Sequence, residues 1–200
     1  DLWIISDEIY EYLSFDKPHT SLLKLMPELK ERYILVNGMS KGFAMTGWRV
    51  GYAVGPMEVM KLVKSLQSHS STCLPPFIEE AATWALSQGS SLMTKEIAIL
   101  KARKKVAVDC LKEIEGVDFI KPEGAFYVFV DVRKALKKSD KFKDNDTLAF
   151  GEFLLLEHHI ACVPGEAFGT PGFLRFSYAT NDETIREGFK RLNTALNSIT

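Results

Sequence analysis

The sequence has few cysteines, no long apolar run and almost no net charge. Its three cysteines, Cys73, Cys110 and Cys162, are far apart and show no CxxC spacing, which argues against a disulfide framework and a structural zinc site. No apolar stretch reaches the length of a membrane span. With 25 basic and 26 acidic residues, the net charge of -1 favours neither nucleic acid nor a membrane surface as a partner. We expect a reducing, cytoplasmic setting and no metal site.

One stretch is strongly charged. Residues 133–146, RKALKKSDKFKDND, mix both signs and contain a single aromatic residue. Segments that bind single-stranded nucleic acid combine positive charge with several aromatic side chains on which bases stack. The stretch therefore predicts a solvated loop rather than a nucleic-acid contact.

The order of the apolar segments predicts an α/β fold. Strands are predicted at residues 2–5, 33–36, 50–54, 117–120, 126–132, 160–163 and 173–178. Helices are predicted at residues 57–69, 76–88, 91–114, 146–159 and 182–198. Asp146 is a predicted N-cap for the fourth of these helices, and Asn181 or Asp182 for the fifth.

The distribution of strands and helices also predicts the domain organisation. We expect residues 1–90 to form part of a large domain with a mostly parallel sheet, residues 91–116 a long connecting helix, and residues 117–200 a smaller α+β domain. Residues 2–5, LWII, are typical of a strand buried on both faces. Because domains rarely begin with such a strand, the opening predicts that the chain is the later part of a longer protein.

Polar side chains follow the first two predicted strands. Asp7 comes directly after the first strand, and Lys41 comes shortly after the second. Open α/β sheets bind ligands outside the carboxyl ends of their parallel strands, so these two residues are candidates for one site. Lys41 is also next to Ser40, but a Ser-Lys hydrolase dyad has a three-residue spacing, and neighbours in an extended segment point to opposite faces.

Five segments resemble, in order along the chain, the class I/II aminotransferases, which are fold type I enzymes that use pyridoxal 5'-phosphate. They are SDEIYE at 6–11, SKGFAMTGWRVGY at 40–52, PEGAFYVFVDV at 122–132, VPGEAFG at 163–169 and LRFSYA at 174–179. Any one of them is a weak signal, whereas five in the family's order are a strong one. The bacterial-type aspartate aminotransferase subgroup is the most similar. The resemblance implies that the chain is a C-terminal half, with the later part of the cofactor-binding large domain and the small domain.

The resemblance implies a role for each candidate residue. Lys41 matches the lysine that forms an imine with the cofactor aldehyde and then carries the substrate Cα proton. Asp7 matches the carboxylate that keeps the pyridine nitrogen protonated, and Tyr10 the tyrosine that faces the phenolic oxygen. Arg49 matches the arginine that binds the cofactor phosphate, and Arg175 the arginine that receives the substrate α-carboxylate.

Other roles stay open for some of these residues. An aspartate at a strand end is commonly a turn or cap residue, Tyr10 fits a half-buried core position, and Arg175 fits the exposed face of an antiparallel strand. Many family members have a serine or threonine phosphate donor three residues before the lysine, where this sequence has Gly38. Ser40, one residue before the lysine instead of three, is therefore the candidate hydroxyl ligand of the cofactor phosphate.

The implied function is transamination between an L-amino acid, with aspartate as the first candidate, and a 2-oxo acid. Residues 71–77, STCLPPF, contain no basic residue for a side-chain carboxylate, so the substrate stays open. Two alternatives also stay open: a pyridoxal phosphate lyase, and an aminotransferase-like regulatory or binding domain. The resemblance implies a homodimer in which residues 67–77 approach the neighbouring site. We expect the 200-residue chain alone to be weakly active or inactive.

Overall fold

A three-stranded sheet forms the centre of the first of two units, Asp1–Ile97 and Ala98–Thr200, into which the computed structural model divides. The structure describes residues 2–142 and 146–199. The strands of the first unit are β1 (Ile4–Asp7), β2 (Tyr33–Gly38) and β3 (Gly51–Val54). β2 lies in the middle, parallel to β1 and antiparallel to β3.

The described residues of this unit form four α-helices, of which the two longer ones lie where the sequence predicts. They are α1 (Leu22–Leu25), α2 (Met39–Gly42), α3 (Met57–Ser70) and α4 (Pro76–Gln88). Proline occupies the first position of α4, where its fixed φ fits the helix and its missing N–H is not needed. Gly89 ends α4 with a positive φ of 59°, which glycine adopts without steric cost.

The first unit has a small core and an exposed edge strand. The core cluster consists of the buried residues Met39, Phe43, Val50, Ala82 and Ala85. In β1, by contrast, Ile5 is 70% exposed, and the preceding Leu2 and Trp3 are 81% and 56% exposed. The prediction of a strand buried on both faces is therefore wrong for the described chain. β1 is an edge strand, and nothing in the described residues buries its Ile5 face.

The second unit contains a four-stranded antiparallel sheet in the order β4-β5-β7-β6. Its strands are β4 (Asp118–Ile120), β5 (Tyr127–Asp131), β6 (Val163–Pro164) and β7 (Phe173–Ser177). Its helices are α6 (Arg133–Leu136), α7 (Thr147–His158) and α8 (Asp182–Ser198). β6 begins later than predicted because Ile160 lies just beyond the end of α7 and its N–H donates to the carbonyl of Leu154 in that helix.

The core of the second unit lies between one face of this sheet and the helices. Alternate residues of the two central strands are buried, Val128 and Val130 in β5 and Leu174 and Phe176 in β7. α8 contributes an apolar stripe of Ile185, Phe189, Leu192 and Leu196. The predicted caps are confirmed: Asp146 accepts a hydrogen bond from the N–H of Ala149, and Asn181 accepts one from that of Thr184.

Helix α5 (Thr94–Lys112) crosses the boundary between the two units. Its buried residues Ala107 and Leu111 belong to the core of the second unit. No helix in the described part of the chain, α5 included, is long and apolar enough to cross a membrane. The assignment of residues 1–90 and 117–200 to the large and small domains of an aminotransferase stays a prediction.

The charged stretch 133–146 is only partly the solvated loop that the sequence predicts. Its first residues form α6, and Leu136 and Phe142 are 1% and 4% exposed. Residues 143–145 lie outside the described residues. The prediction was wrong here because it weighed only the charges, whereas three apolar side chains within the stretch, Ala135, Leu136 and Phe142, belong to the core.

A glycine allows tight packing in the turn before β7. Gly165 is buried and opens the 3₁₀ turn Gly165–Phe168, where its carbonyl accepts a hydrogen bond from the N–H of Thr170. A methyl group on Gly165 would overlap the carbonyl oxygen of Thr170 and would lie 2.9 Å from that of Phe173. Because both neighbours are backbone atoms, the turn would have to change shape to admit a side chain.

We predict that Gly165→Ala lowers the free energy of unfolding by about 2 to 4 kcal/mol, because the backbone has to move. Gly188→Ala is the matched control, since a methyl group there meets nothing within 4 Å. Gly188 lies inside α8, so alanine is expected to stabilise the chain by about 0.5 to 1 kcal/mol. Urea unfolding followed by circular dichroism measures both effects. A Gly165→Ala variant as stable as the wild-type chain would contradict the tight packing.

Candidate functional site

Three predicted site residues come from one edge of the first sheet. Asp7 is the last residue of β1, and Lys41 follows the end of the parallel strand β2. Arg49 precedes β3, whose first residue is paired with the last residue of β2. An amine, a carboxylate and a guanidinium are thus brought to the same edge. Arg175 belongs to the second unit and is described below by itself.

The loop after β1 carries Asp7 and Tyr10. Asp7 is exposed, and its Oδ1 accepts a hydrogen bond of 3.1 Å from the N–H of Ile9. This is the turn role that the sequence left open, and it holds the carboxylate at the strand end. Tyr10 is half-buried and stands just before a 3₁₀ turn, where its carbonyl accepts from the N–H of Leu13.

Glu8, next to Asp7, is the best-anchored carboxylate of this unit. It is 5% exposed, and its Oε1 accepts hydrogen bonds from the hydroxyls of Tyr33 at 2.6 Å, Ser21 at 2.8 Å and Ser6 at 3.2 Å. Nε2 of His19 lies 2.9 Å from the other oxygen. Burial alone would raise the pKa of Glu8, but the hydrogen bonds from Tyr33, His19 and Ser21 outweigh it and lower the pKa below its ordinary value.

Two contacts join the loop after β1 to the end of β2 and to the segment that follows it. The side-chain amide of Asn37 donates a 2.8 Å hydrogen bond to Glu11. The rings of Tyr12 and Phe43 meet edge to face, with centroids 5.1 Å apart. Gly42 lets Tyr12 come this close, since a Cβ at that position would lie 2.7 Å from the Tyr12 ring. The two loops that carry the candidate carboxylate and amine are therefore fixed to each other.

Lys41 and Ser40 lie in the short helix α2, and both are half-buried. The helix is held at its start, where the N–H of the fully buried Met39 donates to the carbonyl of Val50 at 3.1 Å. Ser40 and Lys41 are therefore helical, and the prediction of an extended segment is wrong. Adjacent residues of a helix point about 100° apart rather than to opposite faces, so the spacing alone still argues against a Ser-Lys dyad.

Close approach of two backbones holds the ends of β2 and β3 together. A Cβ on Gly51 would lie 2.9 Å from the carbonyl oxygen of Asn37, and one on Gly38 would lie 3.2 Å from that of Val50. Side chains at these positions would push the strands apart. The absence of a hydroxyl side chain at position 38 therefore has a structural reason here.

Arg49 has an unusual backbone conformation. Its φ of 53° and ψ of 44° lie in the left-handed region, which few residues other than glycine adopt. The side chain is exposed, and its Nη1 donates a 3.0 Å hydrogen bond to the carbonyl of Thr46. A strained conformation at a charged residue is typical of functional sites.

Tyr52 and Asn37 form a pair across β2 and β3 that the sequence analysis missed. Burial, followed by the charges of Glu11 and Glu8 and the neighbouring Tyr12, raises the pKa of Tyr52 to about 12. Its phenol therefore stays neutral at physiological pH. Their positions in the sequence could have indicated this pair, because Asn37 directly follows one predicted strand and Tyr52 lies within the next.

Arg175, in the second unit, lies on the face of β7 opposite the core. Its Cζ is 4.3 Å from the ring centroid of Tyr127 and 4.6 Å from that of Phe168. Nε is buried and has no hydrogen-bond partner among the described residues. The alternative of an arginine on an exposed strand face is wrong, because the side chain is half-buried beside these rings.

Comparison with known proteins covers nearly the whole chain. Residues 1–192 match the family Aminotransferase class I and II. An aspartate aminotransferase of Streptomyces avermitilis is 42% identical over 197 residues, which are 98% of this chain and 48% of that protein. A probable aspartate/prephenate aminotransferase of Aquifex aeolicus is 39% identical over 201 residues, 99% of this chain and 50% of that protein. The chain thus spans about half the length of the curated relatives it matches.

Solved structures give the same picture. The crystal structure of the aspartate aminotransferase from Rhizobium meliloti matches with a TM-score of 0.91 at 36% identity, over 99% of this chain and 50% of that one. The aromatic aminotransferase from Pyrococcus horikoshii matches with a TM-score of 0.86 at 35% identity, over 98% of this chain and 52% of that one. Similarity in fold therefore extends over nearly all of the present chain.

We predict that Glu8→Gln lowers the free energy of unfolding by about 1 to 3 kcal/mol at neutral pH, because a neutral amide oxygen accepts more weakly than a carboxylate and the amide nitrogen cannot accept from Nε2 of His19. Since the pKa of Glu8 is lowered in the folded chain, its stabilising contribution is complete above the ordinary glutamate pKa. It is lost as the pH falls through the folded pKa. The difference between wild type and variant should therefore shrink from about pH 6 to about pH 3.

Urea unfolding across this pH range measures the prediction. Glu187→Gln is the control, because Glu187 is also paired, with Arg191 at 2.8 Å, but both side chains are exposed. We expect Glu187→Gln to cost less at every pH. Equal losses for the two variants, or a Glu8→Gln difference that does not depend on pH, would contradict the anchoring role of Glu8.

Proposed function

The chain belongs to the class I and II aminotransferases, fold type I enzymes, and we propose that it contributes to pyridoxal phosphate-dependent transamination between an L-amino acid and a 2-oxo acid. The proposal rests on one observation: the loops that carry Asp7, Lys41 and Arg49 leave the same sheet edge, and the first two loops are joined by direct contacts. Because the chain spans half the length of its relatives, we propose these roles for the part of the site that it supplies.

The side chains at this edge fit the polar groups of the cofactor. When bound, pyridoxal phosphate supplies an aldehyde that condenses with amines and a ring that accepts electrons from the substrate Cα–H bond. Lys41 has the amine, Asp7 has the anion that favours a protonated pyridine nitrogen, and Arg49 has the planar fork of donors that suits a phosphate. Ser40, beside Lys41, is a further candidate donor to the phosphate.

In this assignment Lys41 moves the proton. Its Nζ would take the proton from the substrate Cα as a base and donate it to the cofactor carbon as an acid, which requires one amine to stay beside both carbons. The anchoring of α2 at Met39 supports that requirement, because it fixes the backbone from which the lysine extends. Tyr10 is assigned to the phenolic oxygen of the cofactor, which its hydroxyl would meet as a hydrogen-bond donor.

Arg175 is assigned to the substrate α-carboxylate. A guanidinium binds a carboxylate through paired, parallel hydrogen bonds, which lysine does not reproduce. The buried Nε without a partner supports the assignment, since a charged donor in such surroundings is stabilised by a nearby anion.

The names of the relatives bear on the substrate and on the alternatives. They are named for aspartate, aspartate/prephenate and aromatic substrates, so we propose aspartate as the first amino acid to test. The same names favour transamination over the lyase and the regulatory domain. We also propose that the working unit is a homodimer in which residues 67–77 approach the neighbouring site, and that it works in the cytoplasm.

We predict that pyridoxal phosphate, fixed to the chain by borohydride reduction, is found on Lys41. Peptide mapping by mass spectrometry identifies the labelled residue, and the readout does not depend on turnover. Lys41→Ala should lose the label, whereas Lys64→Ala, which removes an exposed lysine of α3, should keep it. Labelling spread over surface lysines and unchanged in Lys41→Ala would contradict the assignment.

A second prediction separates binding from stability at Arg49. Arg49→Gly should raise the unfolding free energy of the cofactor-free chain by about 1 kcal/mol, because glycine relieves the left-handed conformation. The same change should weaken pyridoxal phosphate binding about tenfold, because a charge-assisted hydrogen bond to the phosphate is lost.

Ala44→Gly is the matched control, since Ala44 has a similar φ of 54° and no charge. It should give the same gain in stability with unchanged affinity. Urea unfolding and an absorbance titration with pyridoxal phosphate measure the two quantities. Equal affinities of the two variants would argue against a phosphate contact by Arg49.

A further inference from the structure

Two aromatic rings lie against the guanidinium of Arg175. Tyr127 and Phe168 both lie within cation–π distance of the guanidinium, at 4.3 and 4.6 Å from its Cζ. Neither aromatic face offers a strong hydrogen-bond acceptor that would compete with an incoming anion. The guanidinium is attracted to both rings while its N–H groups keep their capacity to donate.

Phe168 is held in place although 45% of it is exposed. It ends the turn Gly165–Phe168, and the carboxylate of Glu166 in that turn accepts hydrogen bonds from the N–H and the hydroxyl of the fully buried Thr147, at 3.1 and 2.6 Å. The Phe168 ring also meets the edge of Phe129, with centroids 5.9 Å apart. The ring is therefore presented by a fixed turn.

A free arginine side chain populates many rotamers, and ordering it on binding costs entropy of about 2 kcal/mol at most. Two rings that already hold the guanidinium reduce that cost before a ligand arrives. The buried Nε shows how closely the surrounding protein groups fit the side chain.

We propose that Tyr127 and Phe168 are positioning residues, which hold Arg175 in the orientation that binds the carboxylate of the substrate. The proposal rests on the carboxylate role of Arg175 given above. It adds a function for two aromatic side chains that the first assignment leaves unexplained, and Phe168 is the more informative of the two because its ring is partly exposed and yet lies against the guanidinium.

The test follows the Nε–H resonance of Arg175 in proton–nitrogen NMR spectra of the whole chain, assigned by its loss in Arg175→Lys. Two quantities are measured: the rate at which this proton exchanges with water, and the dissociation constant for propionate from the shift of the resonance. Propionate is the probe because it carries a carboxylate and no other polar group.

We expect Phe168→Leu to speed the exchange and to weaken propionate binding about fivefold, the effect of losing one cation–π contact. Phe168→Tyr keeps the ring and should stay within about twofold of the wild type. Phe173→Leu is the control: Phe173 stacks on Phe129 in the same aromatic group, but the guanidinium above its ring is that of Arg133. Tyr127→Leu, which leaves the turn intact, is the second test variant.

Equal effects of Phe168→Leu and Phe173→Leu on exchange and affinity would overturn the proposal, because they would indicate a general loosening of the sheet. Propionate binding that is the same in the wild-type chain, Phe168→Leu and Tyr127→Leu would also overturn it and leave the proposed function standing. If propionate does not shift the Arg175 resonance while Phe168→Leu still speeds its exchange, the carboxylate role itself fails and the ring contact survives.

Discussion

The candidate site depends on how closely β2 and β3 approach each other at Gly38 and Gly51. Side chains at these positions would meet backbone oxygens at 3.2 and 2.9 Å, so only hydrogen in place of Cβ lets the two strands close at this end. Lys41 follows the end of β2, and Arg49 precedes the start of β3. The separation of the amine and the guanidinium is thus set by backbone packing, before any side-chain contact is made.

The two units hold their charged side chains by different means. In the first unit, the carboxylate of Glu8 accepts hydrogen bonds from hydroxyls and contacts His19. These contacts fix the backbone next to Asp7. In the second unit, aromatic faces hold Arg175. Hydrogen bonds anchor a carboxylate that has no need to bind anything else, whereas rings leave the donors of a guanidinium available for a ligand.

Much of the fold and part of the site could be predicted from local sequence. Helix α4 was predicted because proline is well placed at its start, and the caps Asp146 and Asn181 follow from residue type. The grouping of Asp7 and Lys41 at one edge followed from strand order. The contacts of Glu8 were not predictable, because its partners His19 and Tyr33 are 11 and 25 residues away and only the fold brings them together. The exposure of Ile5 was missed because an apolar run does not reveal whether anything covers it.

The left-handed backbone at Arg49 has a consequence for protein engineering. Two requirements meet at one position: a positive φ, which favours glycine or asparagine, and a charged fork, which none of the residues at ease in that conformation possesses. No single replacement satisfies both. A loop grafted from this chain onto another scaffold would need the flanking turn Thr46–Trp48 as well as the arginine, since the geometry and not the residue alone directs the side chain.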